Sequence, residues 1–288
     1  MLNINTNYAA AFAANAASKV TSDLDTSMER LSTGNRINYA RDDAAGLAIS
    51  TRLENEIKGL ATASRNAADA QSMIDTADGA LKETQSILVR MKELAVQASN
   101  GTLIQSDRDA LDAEFQALEA EIDRINTNTT FAGETLFNGS TKTFQVGVNA
   151  GSSNYIENSI ASMGPHNLGI DSAGADNDAT ATTDNVANAT LTSQANAQAM
   201  MTAVDSAIGS VSAERGKLGA VSNRLSSTMA NLDQVAVNLS ASQGRIQDAD
   251  FAAEAGNLAK GQILQQAATA MLAQANASRG SVLSLIQS

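Results

Sequence analysis

The side chains able to do chemistry are few, and their spacing does not serve it. The chain has one histidine, His166, beside Gly164-Pro165 in a stretch that reads as a loop, where a solvated turn residue is expected rather than a ligand or base. It has no cysteine, which removes disulfides and thiol–metal sites and leaves the redox compartment open. A zinc hydrolase of the HExxH type needs a pair of histidines and is excluded by count. There is no P-loop, no GxSxG and no GxGxxG, and the carboxylates are spread along helical faces as solvated charges are. No catalytic, cofactor-binding or metal-ligating residue is therefore assigned, and the chain is not read as an enzyme. What remains is modification chemistry. Asn138-Gly139-Ser140 and Asn188-Ala189-Thr190 have the Asn-x-Ser/Thr form, a weak signal by itself.

With no site to position, the elements themselves carry the argument. Steps alternating between three and four connect Met201, Val204, Ile208, Val211, Arg215, Leu218, Ser222, Leu225, Met229, Leu232, Ala236, Leu239, Gln243 and Ile246. A seven-residue repeat predicts a helix supercoiled around a partner, here a rod of roughly 70 Å at about 1.5 Å per residue. Arg215, Ser222 and Gln243 fall on this seam; they either sit at its edge and reach water or fix register, and both readings stay open. Abundant alanine, 3% aromatics, no Trp and a single Pro are the composition of long helices packed through small side chains. The net charge of −12 argues against nucleic acid and against an anionic membrane surface. No stretch is apolar for long enough to span a bilayer. Met1 to Asn7 carries neither a basic region nor an apolar run, so the expectation is a cytosolic protein or one exported without cleavage of a leader.

In chain order, a helix is expected from about residue 5 to 33, with the seam Ala13, Ala17, Val20, Leu24, Met28 and Leu31, stopped at Ser32-Thr33-Gly34-Asn35. A connector at 36–41 leads to Asp42-Asp43 as a helix start. The second helix carries Leu53, Ile57, Leu60, Ala63, Ala67, Ala70, Ile74, Ala77, Leu81, Thr84, Leu88, Met91, Ala95 and Ala98, and ends at Asn100-Gly101. A third starts near Ser106-Asp107 with Leu111, Phe115, Leu118, Ile122 and Ile125 inward. Phe144, Val146 and Val148 alternate at strand spacing after the turn Phe137–Ser140, giving a small hairpin at about 131–150. About 150 to 190 reads as exposed and loop-rich. After the rod, Gln247–Asp250 starts a last helix with the stripe Ala252, Ala255, Ala259, Ile263, Ala267, Ala270 and Ala273, flanked by Leu264, Ala268 and Met271.

Both ends of the chain are thus amphipathic and alanine-rich. At about 25 cal/mol per Å² an alanine stripe between two helices does not offset ordering entropies of roughly 1–2 kcal/mol per residue. Such ends are expected to fold against neighbouring copies. A second stripe beside the seam of the second helix, Ile87, Arg90, Leu94 and Gln97, is either a seam widened by a second packing helix or a contact with another subunit or a receptor.

Several ordered motifs closely resemble bacterial flagellin. In the N-terminal part these are Glu29-Arg30-Leu31-Ser32-Thr33-Gly34 with Arg36-Ile37-Asn38, Asp42-Asp43-Ala44-Ala45-Gly46-Leu47-Ala48-Ile49-Ser50, and Glu93-Leu94-Ala95-Val96-Gln97-Ala98-Ser99-Asn100-Gly101-Thr102. Near the other end they are Arg245-Ile246-Gln247-Asp248-Ala249-Asp250-Phe251-Ala252, Gln262-Ile263-Leu264-Gln265-Gln266-Ala267, Leu272-Ala273-Gln274-Ala275-Asn276 and Val282-Leu283-Ser284-Leu285. The resemblance covers about residues 1–150 and 195–288. It implies a mainly α fold of long antiparallel coiled-coil helices with a small β-hairpin element, in which the N- and C-terminal helices pair as an inner coiled coil. The expected division is 1–44 and 247–288 for the inner coiled-coil domain, with 45–246 as an outer helical bundle.

The implied function is a structural subunit that polymerises into the flagellar filament for swimming motility. A hook–filament junction protein of the same family, or a cytosolic coiled-coil signalling rod, are the alternatives. Implied partners are further copies of the chain, the filament cap protein, the hook–filament junction protein, an export chaperone on the C-terminal helix and the type III export apparatus. No cofactor, nucleic acid or membrane is implied, and the expected location is the extracellular filament. Inner-core assembly falls to Val20, Leu24, Leu31, Ile263, Ala267, Ala270 and Met271. The pattern recognised by Toll-like receptor 5 carries over to Arg90, Glu93, Leu94, Gln97 and Glu114, with Leu118 where a basic residue is familiar. Because flagellins are more often modified on Ser or Thr, Thr180, Thr182, Thr183, Thr190 and Ser193 are candidate O-glycosylation positions, expected to be exposed.

Overall fold

The computed structural model describes residues 7–171 and 190–287. Helices dominate, in the order α1 Tyr8–Thr33, α2 Ala44–Ala98, α3 Gln105–Asn128, α4 Pro165–Leu168, α5 Gln194–Gln247 and α6 Phe251–Gln287. Four short strands lie between α3 and α4: β1 Thr130–Phe131, β2 Glu134–Thr135, β3 Thr141–Gln145 and β4 Tyr155–Ser159. The chain divides into two compact units, one of Met1–Ile57 with Val237–Ser288 and the other of Lys58–Ala236. This differs from boundaries at 44 and 246. The connector after α1 is bound to the end of α5, with Arg36 N donating to Gln247 O at 2.6 Å, Arg36 Nη2 to Ile246 O at 2.7 Å and Ser50 Oγ to Gln247 Oε1 at 2.9 Å. Those bonds hold the start of α2 and the end of α5 in the first unit.

In that unit α1 and α6 pair antiparallel. Asn7 starts α1 by accepting from Ala10 N at 3.1 Å and reaches Ala275 O at 3.4 Å; at the far end Ala249 N donates to Gly34 O at 2.9 Å. Gly34, at φ +75, closes α1 in the left-handed conformation that a Cβ disfavours. Asp250 caps α6, accepting from Ala252 N and Ala253 N. The residues turned inward on α1 are Ala10, Ala13, Ala17, Val20, Leu24, Ser27 and Leu31; on α6 they are Glu254, Leu258, Gly261, Gln265, Ala268, Leu272 and Ala275. Both sets keep strict three–four spacing.

The heptad expected for α6 is therefore present but in another phase. Ala252, Ala255, Ala259, Ile263, Ala267, Ala270 and Ala273 are all exposed, and on α1 Ser27 replaces Met28, which is 50% exposed. Alanine on every side gives hydropathy little to choose between faces. The choice is made by contacts: Glu254 against Ser27 and Arg30, and Gly261 under Leu24.

In the second unit the α2 seam holds as expected: every position from Leu60 through Ala63, Ala67, Ala70, Ile74, Ala77, Leu81, Thr84, Leu88, Met91, Ala95 and Ala98 is buried. On α5, Val204, Val211, Leu218, Leu225 and Leu232 are buried as expected. Their companions are Met200, Ala207, Glu214 and Val221, while Met201, Ile208, Arg215, Ser222 and Met229 lie half-buried on the other flank. The seam is wide because α5 meets more than α2: the same core contains Phe115 and Ile122 of α3 and Ile156, Ile160, Met163, Leu168 and Ile170. Arg108 ties down the turn between α2 and α3, its guanidinium donating to the carbonyls of Ala98, Asn100 and Leu103.

The β region is larger than the sequence indicates. β1 and β2 form a tight hairpin whose turn holds Ala132 at φ 51 and Gly133 at φ 86, the primed geometry that matches strand twist. β3 pairs antiparallel with β4, Thr141 opposite Ser159 and Gln145 opposite Tyr155. β3 ends at Gln145, so Val148 is outside the strand and 42% exposed. The stretch from 150 is not wholly an exposed loop, since it supplies β4, α4 and five buried apolar residues, Ile156 to Ile170. Ile156, Asn158 and Ile160 do alternate, but the polar Asn158 at the middle buried position hides the period.

Candidate assembly surface

The helices that open and close the chain meet through a seam with little apolar bulk, and a polar knot stands in its middle. Glu254 sits in the first turn of α6, where a carboxylate complements the helix dipole. It is 8% exposed and takes three donors: Ser27 Oγ at 3.0 Å, Arg30 Nη1 at 2.9 Å and Asn257 Nδ2 at 3.3 Å. Burial pushes its pKa up. The hydrogen bonds from Arg30, Asn257 and Ser27, together with the Arg30 charge, outweigh burial and hold it below the usual 4.5. A shallow groove beside the knot is lined by Asp23, Leu24, Lys260, Gly261 and Leu264.

Of the residues assigned to inner-core assembly, Val20, Leu24 and Leu31 lie half-buried in this seam. Ile263, Ala267, Ala270 and Met271 do not; they are on exposed parts of α6, Ile263 at 67% and Met271 at 66%. On α1 the sequence reading missed two large exposed side chains, Tyr8 at 67% and Phe12 at 79%. The available signal was their absence from the α1 seam. The connector is rigidly built. Asp42 Oδ2 accepts from Asn38 N and Tyr39 N, and these backbone bonds lower its pKa. Asp43 Oδ1 caps α2 through Gly46 N, and Ile37 is 2% exposed. A Cβ on Gly46 would lie 2.5 Å from Asp43 Oδ2 and 2.7 Å from Ile37 Cδ1.

In the second unit, Arg90 links α2 to α3. Its Nε and Nη2 donate to Glu114 Oε1 at 3.0 and 2.8 Å, and its Nη1 to Glu93 Oε2 at 3.0 Å. Hydrogen bonds to Glu114 and then Glu93 raise the arginine pKa. Leu94 is 1% exposed and Ile87 packs on the core, so those two belong to a widened seam. Arg90, Glu93, Gln97 and Glu114 stay at the surface, accompanied by Val89 and Val96, 46% and 47% exposed. That seven-residue pair on the solvent face of α2 was readable in the sequence and was missed.

Polar contacts between α2 and α5 recur along α2 every seven residues: Ser64 to Asp233, Gln71 to Ser222, Arg215 to Asp78, Gln85 to Ser212 and Lys92 to Asp205. Arg215 also donates to Gln85 Oε1 at 2.7 Å. Both Arg215 and Ser222 therefore bond across the pair, the register-fixing alternative, whereas Gln243 donates within its own helix to Gln247. Three polar residues on α3 and α5 went unnoticed in the sequence. Asp112 accepts from Leu191 N at 2.6 Å, Asn126 from Met163 N at 3.0 Å and Glu214 from Ala161 N at 3.2 Å, pinning irregular chain to the helices.

His166 belongs to the short helix α4 rather than to a loop, because Pro165 after Gly164 opens a helical turn there; its side chain is 41% exposed and lies 3.6 Å from Asp171 through Nδ1. Thr190 and Ser193 are half-buried rather than exposed, and both hydroxyls accept from Asn196. Thr180, Thr182 and Thr183 lie outside the described residues. Among the described residues no group of three His, Cys, Asp or Glu could hold a metal, and no helix is long and apolar enough to cross a membrane.

Comparison with known proteins matches residues 4–142 to the bacterial flagellin N-terminal helical region and residues 201–286 to the bacterial flagellin C-terminal helical region. The chain is 42% identical to flagellin of Bacillus subtilis (strain 168) over 309 aligned positions, covering 99% of this chain and 100% of the relative. Flagellin of Halalkalibacterium halodurans is 43% identical over 260 positions, 90% of each chain. A putative flagellar hook-associated protein from Vibrio parahaemolyticus shares the fold, with a TM-score of 0.57 over 72% of this chain and 100% of that one, at 16% identity.

Proposed function

The chain belongs to the bacterial flagellin family and is a structural subunit of the flagellar filament, and on that premise we propose that the exposed apolar surface of the α1–α6 pair is where copies join. The observation that carries this reading is the exposure of Tyr8, Phe12, Ile263 and Met271 on two helices half of whose mutual seam is Ala, Gly or Ser. Large apolar side chains left exposed in this number on one helix pair point to an interaction site. A pair that buries so little against itself gains its missing burial from neighbours. Repeating one heterologous contact from copy to copy, without closure, builds an open helical tube. In this reading Ile263, Ala267, Ala270 and Met271 face other copies, while Val20, Leu24 and Leu31 hold the pair together.

Family membership supports a set of finer roles, which we infer for this chain. We infer that the subunit is exported by the type III apparatus, held beforehand by a chaperone on α6, and added under the cap protein beyond the hook–filament junction protein. It works outside the cell and carries out no catalysis. The surface of Arg90, Glu93, Gln97 and Glu114 is the proposed contact for Toll-like receptor 5, with Leu94 supporting it from beneath. Limited proteolysis of monomer and polymer, read by mass spectrometry, tests the assembly reading. Cleavage within α1 and α6 in the monomer and protection in the polymer is the expected result. Equal resistance in both states refutes it.

A further inference from the structure

The chain contains two Asn-Gly pairs, Asn100-Gly101 and Asn138-Gly139. Glycine after asparagine leaves the backbone amide unshielded by a Cβ and conformationally free. Asn138 is exposed in the turn before β3, and Gly139 has φ +73. Asn138 Oδ1 accepts two hydrogen bonds from one residue, Ser140 N at 3.0 Å and Ser140 Oγ at 2.6 Å. An asparagine oxygen that reaches the amide two residues ahead folds its side chain over the intervening amide, here that of Gly139. Donors fixed on a carbonyl oxygen also stabilise the negative charge that develops there when a nucleophile attacks the carbon.

We propose that Asn138 is a site of spontaneous covalent modification, in which the Gly139 amide displaces the Asn138 side-chain nitrogen and water opens the resulting ring. The Gly139 nitrogen gives up its proton and bonds to Asn138 Cγ. The Cγ–Nδ2 bond breaks, and the nitrogen leaves with that proton as ammonia. Water then adds across one of the two carbonyl–nitrogen bonds of the succinimide, leaving aspartate or isoaspartate at position 138. Water is consumed, ammonia is released, and nothing is oxidised or reduced. Each event adds a negative charge to a chain already at −12, in the turn between the paired Glu134 and Lys142. The isoaspartyl product also lengthens the backbone shortly before Thr141 opens β3.

Asn100 has the same neighbour but a different setting. Its Oδ1 accepts from Thr102 N at 3.2 Å, while its main chain is held at both ends, N–H to Gln97 O at 3.2 Å and carbonyl from Arg108 Nη2 at 3.0 Å. That restraint opposes the rotation that ring closure needs.

The test uses full-length protein, incubated in warm, mildly alkaline buffer and followed by peptide mapping, with released ammonia measured in parallel. Asn138 is expected to convert faster than Asn100. Ser140→Ala is expected to slow Asn138 about two- to tenfold, the range of one net hydrogen bond, and Ser140→Thr to restore the rate, with circular dichroism unchanged in both. Asn100 converting as fast as Asn138 overturns the proposal, as does a Ser140→Ala variant whose Asn138 rate is unchanged or higher.

Discussion

Glu254→Gln is the perturbation that most directly tests how the α1–α6 pair is held. The wild-type carboxylate is 8% exposed and accepts from Ser27, Arg30 and Asn257, so glutamine keeps the shape but loses the charge and turns one acceptor into a donor. A hydrogen bond to a charged group contributes about 1.5–3 kcal/mol. Arg30 is 27% exposed, so water replaces part of the loss and the expected cost is about 1–2 kcal/mol, or roughly five- to thirtyfold in a local opening equilibrium. Amide hydrogen exchange of peptides covering 20–31 and 254–265 reads that opening in the polymer, where the pair is expected to be protected. The pH dependence has a definite sign. The folded carboxyl titrates below its ordinary 4.5, so its stabilisation is complete above that value and is lost as pH falls through the lower, folded one. Wild-type protection in these peptides should therefore decline on acidification, and the glutamine variant should lack this component. Equal exchange in the two proteins at neutral pH, or the same acid-induced decline in both, refutes the knot as the element that holds the pair in register.

Substitutions elsewhere have equally definite expected outcomes. Met271→Glu should leave monomer helicity unchanged and abolish seeded polymerisation, measured by sedimentation, because this side chain is 66% exposed in the single chain. Gly46→Ala should destabilise the connector by about 1–3 kcal/mol through overpacking, whereas Gly261→Ala, whose added Cβ meets Leu24 no closer than 3.5 Å, should be neutral or stabilising by about 0.5–1 kcal/mol in thermal melts. Leu94→Ala should lower unfolding stability by about 2–5 kcal/mol, as buried leucines do, since it is 1% exposed. Gln97→Ala should leave the melt unchanged and weaken receptor signalling; unchanged signalling removes Gln97 from the proposed contact.

The parts of the fold that were legible in the sequence are those where large and small apolar residues alternate with charge. The α2 seam from Leu60 to Ala98 is such a case, because Leu60, Ile74, Leu81, Leu88 and Met91 mark its inward side. The stripe on α6 was not legible. Alanine occurs on all its faces, so periodicity gave the correct spacing and the wrong phase, and Ile263 and Met271 were assigned to a seam they do not enter. β4 was hidden for a related reason, since a buried asparagine stands between Ile156 and Ile160. On α1, Val20, Leu24 and Leu31 were readable as the side that meets α6; Tyr8 and Phe12 stood outside that seam in the sequence, and this signal was missed. Of the residues proposed for the receptor contact, Arg90, Glu93, Gln97 and Glu114 lie at the surface and Leu94 lies in the core beneath them.

By itself the sequence determined the class of molecule: long helices from the seven-residue repeats, and membership of a filament family from ordered motifs at both ends. Tertiary structure decided which face of each alanine-rich helix is inside. Burial of a methyl group stabilises too little to select a face, so the choice passes to directional contacts such as Glu254 with Arg30 and with Ser27. Those contacts join residues far apart in the chain, and only the folded backbone brings them together.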